Sequence, residues 1–71
     1  MEEITVLAKR IKEYRKKNRL SQEEFAEKCR ISADLLSLIE RGMANPTIRT
    51  LQCIAVNTNM SVSELLSLED T

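Results

Sequence analysis

Histidine is absent from this chain, and only two thiols, Cys29 and Cys53, are present. Without histidine the chain lacks the usual general base and the commonest metal ligand. The two cysteines lack metal-ligand spacing and are too few for a disulfide framework; their apolar neighbours mark them as buried thiols. Catalysis therefore has no residues to carry it, and no cofactor, metal or small-molecule ligand is expected. Recognition chemistry remains. KRIKEYRKKNR, Lys9 to Arg19, sets seven cations against one anion, Glu13. Such a run is ordinarily a solvated helix face, and on charge alone that reading is preferred to a phosphate-facing patch. A second segment, ISADLLSLIERG (Ile31 to Gly42), turns Ala33, Asp34, Ser37 and Leu38 outward, with Arg41 at its end. Helices that read nucleic acid usually present arginine, lysine, asparagine or glutamine, so this face is sparse for the task.

These residues must be positioned by helices. Ile4, Leu7, Ala8, Ile11 and Tyr14 follow the i, i+3, i+4, i+7 pattern of an amphipathic helix from about Glu3 to Asn18. Ser21 with Glu24 forms a capping box that opens a second helix, carrying Phe25, Ala26 and Cys29 inward and ending near Arg30. Any residue but glycine at that end is unfavourable if the chain turns through the left-handed region. Ser32 caps a third helix that runs to about Arg41 and stops at Gly42. MANPT is a loop, and Thr47 caps a fourth helix from Ile48 to about Asn57. Asn59 tolerates the left-handed turn that follows. Ser61 and Glu64 form a second capping box opening a short last helix through ELLSL. On a period of about 100° per residue, Leu35, Leu36 and Ile39 share one face of the third helix. Ala33, Asp34, Ser37 and Arg41 share the other, and Leu38 lies on the border.

Seventy-one residues make a single domain, 1–71, that must fill its core tightly. One glycine, one proline and no β-rich run point to an all-α fold, a compact five-helix bundle. No apolar stretch approaches the roughly 18 residues of a membrane span, and the N-terminus lacks a secretory pattern, so the cytoplasm is the expected location. Eleven basic and eleven acidic residues cancel overall, but residues 1–30 hold nine basic and six acidic groups against two and five in residues 31–71.

Two short helices joined by a tight link form a helix-turn-helix candidate, a weak signal alone. The longer string RIKEYRKKNRLSQEEFAEKCRISADLLSLIERGMANPTIRTLQCIA…MSVSELL is specific. It resembles the Cro/cI-type (XRE) family of lambda-repressor-like DNA-binding domains over residues 4–68. The marks are LSQEEFA, IS, IERG, NPT…TL..IA and VSELL, with motif helices at about 22–30 and 33–41. The chain departs from the family at Arg30 and Asn59, where glycine is usual, and at Thr58, where a core leucine is usual. A buried Thr58 would weaken the seam between the last two helices by about 1–2 kcal/mol.

The resemblance implies a sequence-specific regulator of transcription that binds double-stranded DNA. It sets Ala33, Asp34, Ser37 and Leu38 in the major groove, and Gln22 on a phosphate at the start of the second helix. Arg41, Asn45, Thr47 and Arg49 cluster around the loop and the start of the fourth helix as further backbone contacts, with Lys17 and Arg19 contributing. Each also has a plain reading as a surface residue or helix cap. Arg15 and Glu40 match family positions that resemble a buried ion pair. Val62, Leu65, Leu66 and Leu68 supply more apolar surface than a short helix needs, which suggests a homodimer on a palindromic operator. The competing reading keeps the fold but uses the leucine-rich third helix or the last helix to bind a protein, as an antitoxin or a regulator's partner would.

Overall fold

The structure, a computed structural model, describes residues 2–67. Five helices follow one another: α1 (Glu2–Lys17), α2 (Gln22–Cys29), α3 (Ala33–Glu40), α4 (Ile48–Thr58) and α5 (Val62–Leu66). No strand occurs among the described residues, and the fold is the all-α bundle expected. Among them no helix is long and apolar enough to cross a membrane.

Each later helix begins on a hydroxyl. Ser21, Ser32, Thr47 and Ser61 have extended backbones, and their side chains accept from the N–H three residues on. At Ser21 and Ser61 the carboxylates of Glu24 and Glu64 return the bond, at 2.8 and 2.9 Å, completing both capping boxes. In α1, Glu2 and Glu3 occupy the positive end of the helix dipole and Arg15, Lys16 and Lys17 the negative end.

The helix ends share a second device. Arg19, Arg30, Gly42 and Asn59 all lie at positive φ, 55°, 60°, 71° and 60°. At each, the N–H of the following residue returns to a carbonyl five back: Leu20 to Arg15, Ile31 to Ala26, Met43 to Leu38 and Met60 to Ala55. Only one of the four is glycine. A Cβ at Gly42 would meet nothing closer than Ile4 Cγ2 at 3.9 Å, so glycine is required there by backbone angle and not by space. These turns end α2 at Cys29 and α3 at Glu40, one residue before the pattern-based estimates, whereas α4 runs one residue beyond its estimate.

α1 packs on α3 and α5, α2 on α3 and α4, and α4 on α5. Leu7, Ile11, Phe25, Cys29, Leu36, Ile39, Ile54 and Leu65 fill the centre. Tyr14 tilts against Phe25 with ring centroids 5.8 Å apart. Thr58 is buried, as the family leucine would be, but its hydroxyl donates to Ile54 O at 2.8 Å and lies 3.3 Å from Ala55 O. The polar atom is satisfied inside its own helix, so burial leaves no orphan group.

α5 corrects one expectation. Leu65 is 0% exposed and belongs to the chain's own core, so it cannot form part of a surface offered to a second copy. Val62 and Leu66 pack on the core yet stay partly exposed. The helix ends at Leu66, where Ser67 turns to extended backbone, and Leu68 lies outside the described residues. Arg10 Nη2 donates to Ser67 O at 3.4 Å and ties this end of the chain to α1.

Candidate nucleic-acid interface

Leu36 and Ile39 anchor α3 in the core, and Leu35 packs on its margin. That orientation decides what the helix presents. Asp34 is exposed, and Ser37 and Leu38 are partly exposed. Leu38 is not among the hydrophobic residues packed on the core, whereas Ala33 is, so Ala33 offers only part of its methyl surface. Arg41 follows the helix, and its Nε reaches back to Ser37 O at 3.4 Å, which lays the side chain along the same face.

The same helix ends in an ion pair. Arg15 Nε and Nη2 grip Glu40 Oε2 and Oε1 at 2.6 and 2.8 Å, a bidentate clamp from α1 to the last turn of α3. Arg15 Nη1 also donates to Leu20 O at 3.0 Å, so one guanidinium holds α3 and the α1–α2 turn together. Burial pushes the Glu40 carboxyl up, but hydrogen bonds from Arg15 and Gln22 and the Arg15 charge outweigh it, leaving the group below the usual range. The hydrogen bond to Glu40 raises Arg15 in turn, against its own desolvation.

Gln22 joins this network. Its Nε2 donates to Glu40 Oε1 at 3.0 Å. The residue expected on a phosphate is thus held in place by the ion pair, with one amide hydrogen committed to Glu40 and a second on the same nitrogen. The resemblance implies the Arg15–Glu40 pair and, separately, a phosphate contact for Gln22; that Gln22 joins the pair is visible only in three dimensions. Glu23 and Glu24 share the first turn of α2, and the Glu24 carboxylate is occupied by the Ser21 N–H.

The remaining candidates divide. Thr47 accepts from Thr50 N at 3.2 Å and donates its proton to Thr50 Oγ1 at 3.1 Å, which makes capping its observed role. Asn45 lines a shallow hollow with Ile4, Gly42, Met43 and Ala44. Arg49 instead lines a cleft with Lys28 and Arg30. Asn45 and Arg49 thus edge different hollows. Lys28 and Arg30 escaped the sequence reading; the available signal was an arginine in glycine's place.

Two capped helices, a left-handed turn between them and an outward polar face on the second define a helix-turn-helix domain. The chain belongs to the helix-turn-helix family of Cro/cI type, whose model matches residues 11–65. It is 38% identical over 66 residues to the HTH-type transcriptional regulator SinR of Bacillus licheniformis, covering 92% of this chain and 60% of SinR. It is 36% identical over 63 residues to the immunity repressor protein of Bacillus phage phi105, covering 89% of this chain and 44% of that protein. Against the control protein C.SmaI of Serratia marcescens it is 37% identical over 62 residues, 87% of this chain and 74% of the relative. The chain thus spans less than two thirds of the first two relatives. No solved structure gives a significant match.

Proposed function

We propose that the chain is a DNA-binding regulator of transcription that reads a palindromic operator as a dimer. The observation that carries this is the row of exposed Asp34 and partly exposed Ser37 and Leu38 on a helix whose opposite side is locked in the core. The names of its relatives, a transcriptional regulator and an immunity repressor, agree with it. In this reading Ala33 and Leu38 meet thymine methyls, Ser37 bonds base edges and Asp34 accepts from cytosine N4. None makes the bidentate arginine–guanine contact, so DNA shape and half-site spacing, about 34 Å for one turn, supply much of the preference. Gln22, Arg41, Asn45, Thr47 and Arg49 hold the backbone. Val62 and Leu66 are the apolar positions left for a second copy. A cytoplasmic location follows from this role.

Binding of an operator and a scrambled duplex across a salt series tests the reading. Asp34→Ala should shift preference at one base pair and leave nonspecific binding equal or tighter, because it removes a carboxylate from beside the phosphates. Failure of the wild type to bind any duplex at low salt, or equal weakening of both duplexes by Asp34→Ala, refutes the assignment of this face.

A further inference from the structure

The end of α2 and the flank of α4 enclose a cleft of about 420 Å3, lined by Lys28, Arg30, Arg49, Gln52, Cys53, Val56 and Asn57. Three of these are cations, and among the described residues the single ion pair is the one between Arg15 and Glu40. Cations beside a helix C-terminus often serve its negative end. Here that end is already satisfied: Ile31 N–H takes Ala26 O at 3.0 Å, Arg30 N–H takes Glu27 O at 3.1 Å, and Asn57 Nδ2 takes Lys28 O at 3.2 Å. Lys28 and Arg30 are therefore not consumed by the helix they end, and Arg49 sits in the first turn of α4, where the helix dipole offers a cation no partner. Arg30 moreover stands at φ 60°, a conformation in which an arginine is strained and a glycine is not. Backbone geometry alone would favour glycine, and like charges in one cleft repel.

Position supplies the counterpart. Arg30 lies two residues before Ser32, the N-cap of α3, and Arg49 two residues after Thr47, the N-cap of α4. Arg30 thus stands close in sequence to the positive end of α3 and Arg49 to that of α4, while the cleft itself runs along the flank of α4. We propose that Lys28, Arg30 and Arg49 seat the phosphodiester backbone beside the point where α3 enters the groove. This rests on the DNA-binding reading and extends it to two residues, Lys28 and Arg30, that make no base contact. Their effect is sequence-independent, since a phosphate carries no base identity.

The double variant Lys28→Gln/Arg30→Gly separates a binding role from a structural one, because glycine at position 30 relieves the left-handed strain. Expected are an unchanged or higher melting temperature and a salt slope shallower by about two phosphates' worth, near 0.9 each. At 0.1 M salt that slope corresponds to roughly tenfold weaker binding per contact, on operator and scrambled duplex alike. A wild type that binds, with a variant of equal slope and affinity, overturns the seat and leaves the reading face standing. A wild type that binds neither duplex overturns both.

Discussion

Glu40 is 4% exposed, and replacing Arg15 by alanine would leave its carboxylate with Gln22 as its remaining side-chain donor. It would also release Leu20 O, which Arg15 holds at 3.0 Å in the turn where Arg19 is left-handed. Breaking a buried pair by removing one member costs about 3–5 kcal/mol, because the stranded charge stays buried. The Arg15 side chain is 17% exposed, so water reaches the pair's rim and the lower end, near 3 kcal/mol, applies. A chain of this length holds on the order of 4–11 kcal/mol in all, so the loss is a large share. At about 4–8 °C per kcal/mol for a small domain, the melting temperature should fall by at least about 12 °C. Adding Glu40→Gln to Arg15→Ala should recover part of the loss by removing the stranded charge. The pH dependence carries its own sign. In the wild type the folded Glu40 pKa is lowered, so its contribution is present above the unfolded carboxylate value and is lost as pH falls through the folded one. Without Arg15, burial dominates and the folded pKa is raised, so acidification relieves the variant. The stability gap between the two should narrow as pH falls through the carboxylate range. Thermal and urea unfolding across pH measure all three effects. A variant that melts within about 2 °C of wild type, or a gap that widens on acidification, refutes this account of the pair.

The capping boxes should each be worth about 1 kcal/mol, read as the loss on Ser21→Ala or Ser61→Ala in urea unfolding. Backbone hydrogen bonds at Ser21 and Ser61 lower the Glu24 and Glu64 carboxyls. The boxes should therefore weaken as pH falls through the folded values of these groups, and a cap variant should show a flatter acid limb than wild type. The thiols should differ in reactivity: burial pushes Cys29 up to about 11, whereas Cys53 is partly exposed at the cleft. A disulfide reagent at neutral pH should label one thiol quickly and the second only as the protein unfolds; equal rates in the folded chain would contradict the packing of α2 on α4.

Local chemistry was legible in advance where it acts over a few residues. Ser21 with Glu24, and Ser61 with Glu64, declared two helix starts because a capping box is satisfied within four residues. The inward stripe of Leu36 and Ile39 was legible for the same reason, since helical period alone places them together. Arg19 was not foreseen at positive φ: nothing in its type asks for that conformation, and the turn exists because Arg15 binds Leu20 at both ends. Leu65 was misjudged as surface because an apolar residue in a short helix reads alike whether it meets its own core or a second chain. The length of α5 and its seating on α1 and α4 decide that question.

By itself, then, the sequence determined the helices, their caps and the outward turn of Asp34 and Ser37, all set by hydrogen bonds and periodicity among near neighbours. Periodicity left Leu38 on the border of that face and put Ala33 on it, although Ala33 packs partly on the core. Only the tertiary structure decided that Arg15, Gln22 and Glu40 form one network, that Lys28, Arg30 and Arg49 share one cleft, and that Leu65 is enclosed. Those facts depend on how α1, α2, α3 and α4 cross, and helix crossing is settled by the packing of the whole core, which no local pattern encodes.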